Sequence, residues 1–119
     1  PSHEVELEFS ADDAVLFGPI HPGDELRVRY DLDRLPDCRG TTWGHPAWSI
    51  TGYWSVDGGA EQPFEVSRVQ GDDRVAEEAI LTVPAGSELA FWFAVTNRWG
   101  CHAWDSNYGA NWTFPIEAR

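Results

Sequence analysis

Residues 79–95 read AILTVPAGSELAFWFAV. Two apolar runs of period two flank a turn. Ala79, Leu81 and Val83 fall on one side of the first run, which Pro84 ends. Leu89, Phe91, Phe93 and Val95 fall on one side of the second, the most apolar run in the chain. Alternation of this kind marks a strand with one face buried, and Pro-Ala-Gly-Ser-Glu is turn chemistry. The stretch therefore predicts two short strands joined by a turn, and with them an all-β fold.

The pattern extends in both directions. Val5, Leu7 and Phe9 alternate with Glu4, Glu6 and Glu8, and Leu26, Val28, Tyr30 and Leu32 alternate with Arg27, Arg29 and Asp31. Ala14 to Gly18 is a further short apolar run. Trp48, Ile50, Trp54 and Val56 share one phase. Asp57-Gly58-Gly59 after them is a hairpin signal, and Phe64 to Val69 is expected to pair back across it. Trp112, Phe114 and Ile116 close the chain as a last strand. A helical turn over Asp72 to Glu78 is the one competitor. About eight short strands separated by turn signals predict an antiparallel, immunoglobulin-like β-sandwich. Residues 1–119 are expected to form it as a single domain.

Composition narrows the partners. The net charge is -12, and all eight basic residues are Arg. Phosphate backbones are bound by clustered Lys and Arg, so nucleic acid is excluded, and an anionic membrane surface is disfavoured for the same reason. No run approaches the ~18 consecutive apolar residues of a membrane span. An acid excess fits calcium or a neutral partner such as a sugar. Arg-only usage is a pattern of GC-rich coding.

The two cysteines, Cys38 and Cys101, lie in the loop-like stretches RLPDCRG and RWGCHAW. In a small chain that opens at Pro1 and has no Met, the pair reads as a disulfide in a secreted, already trimmed product. It would close a loop of roughly 60 residues, worth about 4 kcal/mol. Free thiols or metal ligands are the alternatives. His45 and His102 stand near the cysteines, without the C-x-x-C or H-x-x-x-H spacing of a zinc site.

Seven tryptophans are the most unusual feature. Trp48, Trp54 and Trp112 are in phase with core positions. Trp92 and Tyr53 are out of phase, each between small or polar neighbours. Trp43, Trp99, Trp104 and Tyr108 are expected in loops beside Asn and Asp. Flat rings next to amide side chains suit a pyranose, whose C–H faces stack on indole or phenol while amides take its hydroxyls. The candidate carbohydrate contacts are therefore Trp43, Trp99, Trp104 and Tyr108 for stacking, with Asn107 and Asn111 for hydroxyls. Alternatively, the rings pin long loops to the sandwich. Asx-turn chemistry in DSNYG explains Asp105, Asn107 and Gly109 without any ligand.

The run AWDSNYGANWTF, Ala103–Phe114, resembles the W-D-N-N-x-G-x-N-[YW] signature near the C-terminal end of starch-binding carbohydrate-binding modules. Trp104, Asp105, Asn107, Gly109, Asn111 and Trp112 fall on that signature, and Ser106 stands where the family commonly has Asn. The preceding V-P turn and F-x-F strand are also similar, so the likeness covers the last third of the chain. It implies an immunoglobulin-like sandwich, with Trp104 and Asn107, and Asn111 beside them, at a glucan site. It implies that Asp105 and Gly109 hold the loop. The cysteines and RLPDCRGTTWGHPAW have no counterpart in that pattern. The chain is also similar to small uncharacterised bacterial domains with an RLP-C-RG stretch and a closing GC-x-x-x-DSN-x-G-x-N stretch.

Catalytic signatures are missing from the sequence: there is no G-x-S-x-G, H-E-x-x-H or phosphate-cradling glycine loop. For calcium, Asp31, Asp33 and Asp37 alternate but lack the glycine and distal glutamate of an EF-hand loop, and Asp105 with Asn107 is a weak candidate pair. No other cofactor is expected. The expectation is a secreted, non-catalytic domain that binds a neutral polysaccharide or oligosaccharide. The alternative is a structural or protein-interaction sandwich, calcium-bound in one variant. A small enzyme ranks third.

Overall fold

The computed structural model describes residues 3–10, 13–36, 38–43, 45–106 and 111–117. Its strands are β1 (Glu4–Phe9), β2 (Ala14–Leu16), β3 (Glu25–Tyr30), β4 (Thr41–Thr42), β5 (His45–Pro46), β6 (Trp48–Val56), β7 (Gln62–Glu65), β8 (Ser67–Gln70), β9 (Asp73–Ala76), β10 (Ala79–Thr82), β11 (Glu88–Asn97), β12 (His102–Asp105) and β13 (Trp112–Pro115). A single 3-10 turn, Leu32–Arg34, follows β3, with the Asp31 side chain accepting from the Asp33 N–H at its start. Among the described residues no helix is long and apolar enough to cross a membrane.

Two sheets make an all-β sandwich. The smaller has the order β10-β3-β1-β2, and the larger β12-β11-β6-β7, with β13 also paired to β11. Their inner faces carry the side chains that the alternation picked out. Val5, Leu7, Phe9, Leu26, Val28 and Tyr30 meet Ile50, Leu89, Phe91, Phe93 and Val95, all buried. The Phe93 ring lies 4.7 Å from Phe9 and 4.1 Å from Tyr30, so the two sheets touch at their aromatic centre. Such rings bring more buried area than aliphatic side chains and prefer edge-to-face and stacked contacts of this kind.

Local chemistry sets the long β6–β7 hairpin. Asp57 and Gly58 have φ of 51° and 75°, the pair of positive values that matches strand twist in a two-residue turn. The Asp57 carboxylate then accepts from the Ser87 and Glu88 N–H groups, tying that turn to the start of β11.

Three features depart from the expected layout. First, β1 and β3 pair in parallel, with Val5 opposite Leu26 and Phe9 opposite Tyr30. Period two shows which face a strand buries and is blind to its direction. Second, the expected return strand Phe64–Val69 divides: β7 pairs with β6, whereas β8 pairs with β9. Consecutive residues Val66 and Ser67 are both buried, which breaks the alternation and turns the chain aside. Third, Asp73–Ala76 is a strand of that ribbon rather than a helical turn, reached through Gly71 at φ 63°. The short pairs β4–β5 and β8–β9 raise the strand number above the expected eight or so.

At the middle of β6, Gly52 lies under the Phe64 ring, and a Cβ there would overlap it. Gly52→Ala is expected to lower unfolding free energy by about 1–3 kcal/mol, as overpacking does. Urea unfolding followed by tryptophan fluorescence measures this. An unchanged midpoint would show that Phe64 can move aside freely.

Candidate functional site

Strand β11 turns its other side chains, Ala90, Trp92, Ala94 and Thr96, away from the core. Its register with β6 puts Trp92 opposite Tyr53, Ala94 opposite Thr51 and Thr96 opposite Ser49. Its register with β12 puts Ala94 opposite Trp104 and Thr96 opposite His102. The outer face of the larger sheet thus carries an aromatic row across three strands. Tyr53 and Trp92 are nearly parallel, with centroids 6.1 Å apart, and Trp104 lies 6.2 Å from Tyr53. Trp104 remains 55% exposed. Ala94, directly opposite Trp104 on this face, is itself buried.

The end of this sheet is built by the disulfide. Cys38 and Cys101 are bonded, with Cα atoms 5.5 Å apart. Around the bond the two loops are stitched together. The Arg98 N–H donates to the Ala47 carbonyl, and the Arg98 guanidinium donates to Thr42 Oγ1 at 3.2 Å. The Trp99 ring packs against Gly40, where a Cβ would stand 2.7 Å from it. Asn97 Oδ1 accepts from the Trp99 and Cys101 N–H groups and shapes the turn. Trp43, in the β4–β5 turn, is 92% exposed at φ 55°, a left-handed conformation that is costly for a bulky residue.

Behind the aromatic row sits a half-buried polar cluster. Asp105 Oδ2 accepts from Arg34 Nε at 2.8 Å and from the Tyr30 hydroxyl at 2.7 Å, and Asp105 Oδ1 accepts from Trp112 Nε1 at 3.3 Å. The Arg34 guanidinium lies 5.0 Å from the Trp112 ring centroid and also donates to the Asp13 carbonyl. Burial, and then the hydrogen bond to Asp105, push the Tyr30 phenol far above its ordinary value of 10.0.

Residues 2–119 match the model of a family described as Family of unknown function (DUF6209). The chain belongs to that family. No curated protein and no solved structure matches it.

In this DUF6209 member the sequence-predicted contacts divide. Trp104 is on strand β12, not in a loop, and among the described residues it is the one predicted ring that joins the aromatic row. Trp43 and Trp99 stand at the disulfide end, as the bridging of their two loops implied. Asn107 and Tyr108 lie outside the described residues. Asn111 has φ 62°, and its N–H donates to the Ser106 carbonyl at 2.7 Å, so it helps close the loop. Asp105 ties the end of β12 to Tyr30, Arg34 and Trp112. A guanidinium on its carboxylate opposes a calcium ion there, and the bonded cysteines have no thiolates for zinc. Tyr53 and Trp92 were absent from the candidate contacts, although their wrong phase for the core was the signal that finds them.

Because Tyr30 keeps its proton in the folded state beyond pH 10, the unfolded chain releases a proton that the native one retains. Stability from this group is present below pH 10 and falls as pH rises above it, by about 1.4 kcal/mol per pH unit. Denaturant titrations between pH 9 and 12 should show that slope, and Tyr30→Phe should flatten it. An equal slope in both proteins would remove Tyr30 as its source.

Proposed function

We propose that this chain is a non-catalytic carbohydrate-binding domain that takes a polysaccharide or oligosaccharide on the outer face of its larger sheet. The observation that carries the reading is the outer-face row in which Tyr53 neighbours both Trp92 and Trp104, with Tyr53 and Trp92 half-buried and Trp104 exposed. Rings displayed on a rigid sheet lose little entropy on binding and offer neutral faces to the C–H faces of pyranoses. Trp43 and Trp99 extend the surface toward the disulfide end, and Asn107, Tyr108 and Asn111 are its proposed contributors from the loop after β12. A neutral glycan backbone also suits a domain of net charge -12, which has no electrostatic means of holding a polyanion. An extracellular setting belongs to the same proposal, and the Cys38–Cys101 bond supports it.

The competing structural reading makes the rings staples. It is favoured by one contact, Trp99 on Gly40. Affinity electrophoresis through gels containing soluble starch, β-glucan or xylan, with and without EDTA, separates the two. Binding should retard the protein on at least one polymer. Trp104→Ala should abolish that retardation while leaving the melting temperature nearly unchanged, since the ring is mostly outside the core. Passage through every gel at the rate of a non-binding control, or a large loss of stability in Trp104→Ala, would overturn the proposal.

A further inference from the structure

Carboxylates outnumber cations here, and most cations are neutralised by them. Among the described residues Arg27 pairs with Glu4 and Glu78, Arg29 with Glu6 and Glu78, Arg34 with Asp105, Arg39 with Asp33, and Arg68 with Glu77. Arg74 and Arg98 have no carboxylate partner among those residues. They are far apart in sequence, one on β9 and one just beyond β11, yet they line the same shallow cavity of about 250 Å³.

Each is held in place by neutral groups. Arg74 donates to Ser67 Oγ at 3.0 Å and lies 5.8 Å from the Trp48 ring centroid, and its Nε is buried with no hydrogen-bond partner. Arg98 donates to Thr42 Oγ1 and lies 5.9 Å from the Trp99 ring. A guanidinium has five N–H donors, so both retain donors for a further acceptor. Ser49 and Thr96, paired across β6 and β11, also line the cavity. They belong to the same outer face as Tyr53 and Trp92. The cavity therefore continues the aromatic row toward the disulfide end.

We propose that this cavity is an oxyanion subsite, and that the glycan carries an acidic unit, a uronate carboxylate or a sulfate ester, bound by Arg74 and Arg98. Planar guanidinium forks match such groups, and bonds to an ionised acceptor are stronger than neutral ones. The net charge of -12 repels a continuous polyanion, so the acid is sparse along an otherwise neutral chain. This inference rests on the carbohydrate reading.

Calorimetric titration tests it with neutral gluco- and xylo-oligosaccharides, and with the same oligosaccharides carrying one glucuronate or one sulfate. The acidic forms should bind tighter by about tenfold or more. That preference should shrink as salt rises, and the affinity ratio should fall to about one in Arg98→Gln and Arg74→Gln. Arg98 is exposed, so its variant tests the idea even where Arg74→Gln fails to fold. Preference for glucuronate or for sulfate names the source of the anion. Equal affinity for neutral and acidic forms would overturn the subsite and leave the carbohydrate reading standing. So would a preference that survives Arg98→Gln. Binding to none of the oligosaccharides would remove both.

Discussion

Strand β11 is paired along its length on both sides, to β6 on one and to β13 and β12 in turn on the other. Its alternation decides two surfaces at once. Leu89, Phe91, Phe93 and Val95 make the core, and Ala90, Trp92, Ala94 and Thr96 make the outer face. A slip of one residue would exchange them, driving Trp92 inward and Phe91 into water. Burial of the phenylalanines therefore places the half-buried Trp92 on the outer face. The display of Trp92 costs no separate structural device, because it follows from packing that the fold needs anyway.

The Arg34–Asp105 pair closes the opposite side of that arrangement. It joins the 3-10 turn after β3 to the end of β12, and so links the smaller sheet to the larger one through charge as well as packing. A partly desolvated guanidinium is tolerable here because its neighbours are an ionised carboxylate, backbone carbonyls and the faces of Phe9, Tyr30 and Trp112. Removing one partner would strand the other charge, which is far more damaging than the net worth of the pair. The aromatic row and the closing loop thus share a rigid support.

Legibility from sequence followed the physics of each element. The bounds of β6 and the inward phase of β11 were readable because one-sided burial imposes period two. The parallel β1–β3 pairing was not, since alternation is the same in either direction. The β8–β9 ribbon escaped notice because it has few core contacts and little periodicity. For the site, Trp104 was singled out by a motif, whereas Tyr53 and Trp92 show only an outward phase in the sequence, and the cross-strand register that pairs them is encoded by no local pattern. Arg74 and Arg98 were invisible as a pair for a stronger reason. What distinguishes them is the lack of a nearby carboxylate, and that is a property of three-dimensional neighbourhoods.

The position of the disulfide along the chain has a mechanical meaning. The bonded cysteines are 63 residues apart, and the segment between them holds β4 to β11. A pull on the two ends would be carried across the sulfur bridge rather than through that segment. At ~3.4 Å per extended residue, about 200 Å of contour length would be shielded from the load. The outer strands β1, β2, β3, β12 and β13 would peel first, while β6 and β11, with Tyr53 and Trp92 between them, would stay paired. Trp104, carried by β12, would leave the row while Tyr53 and Trp92 still faced each other.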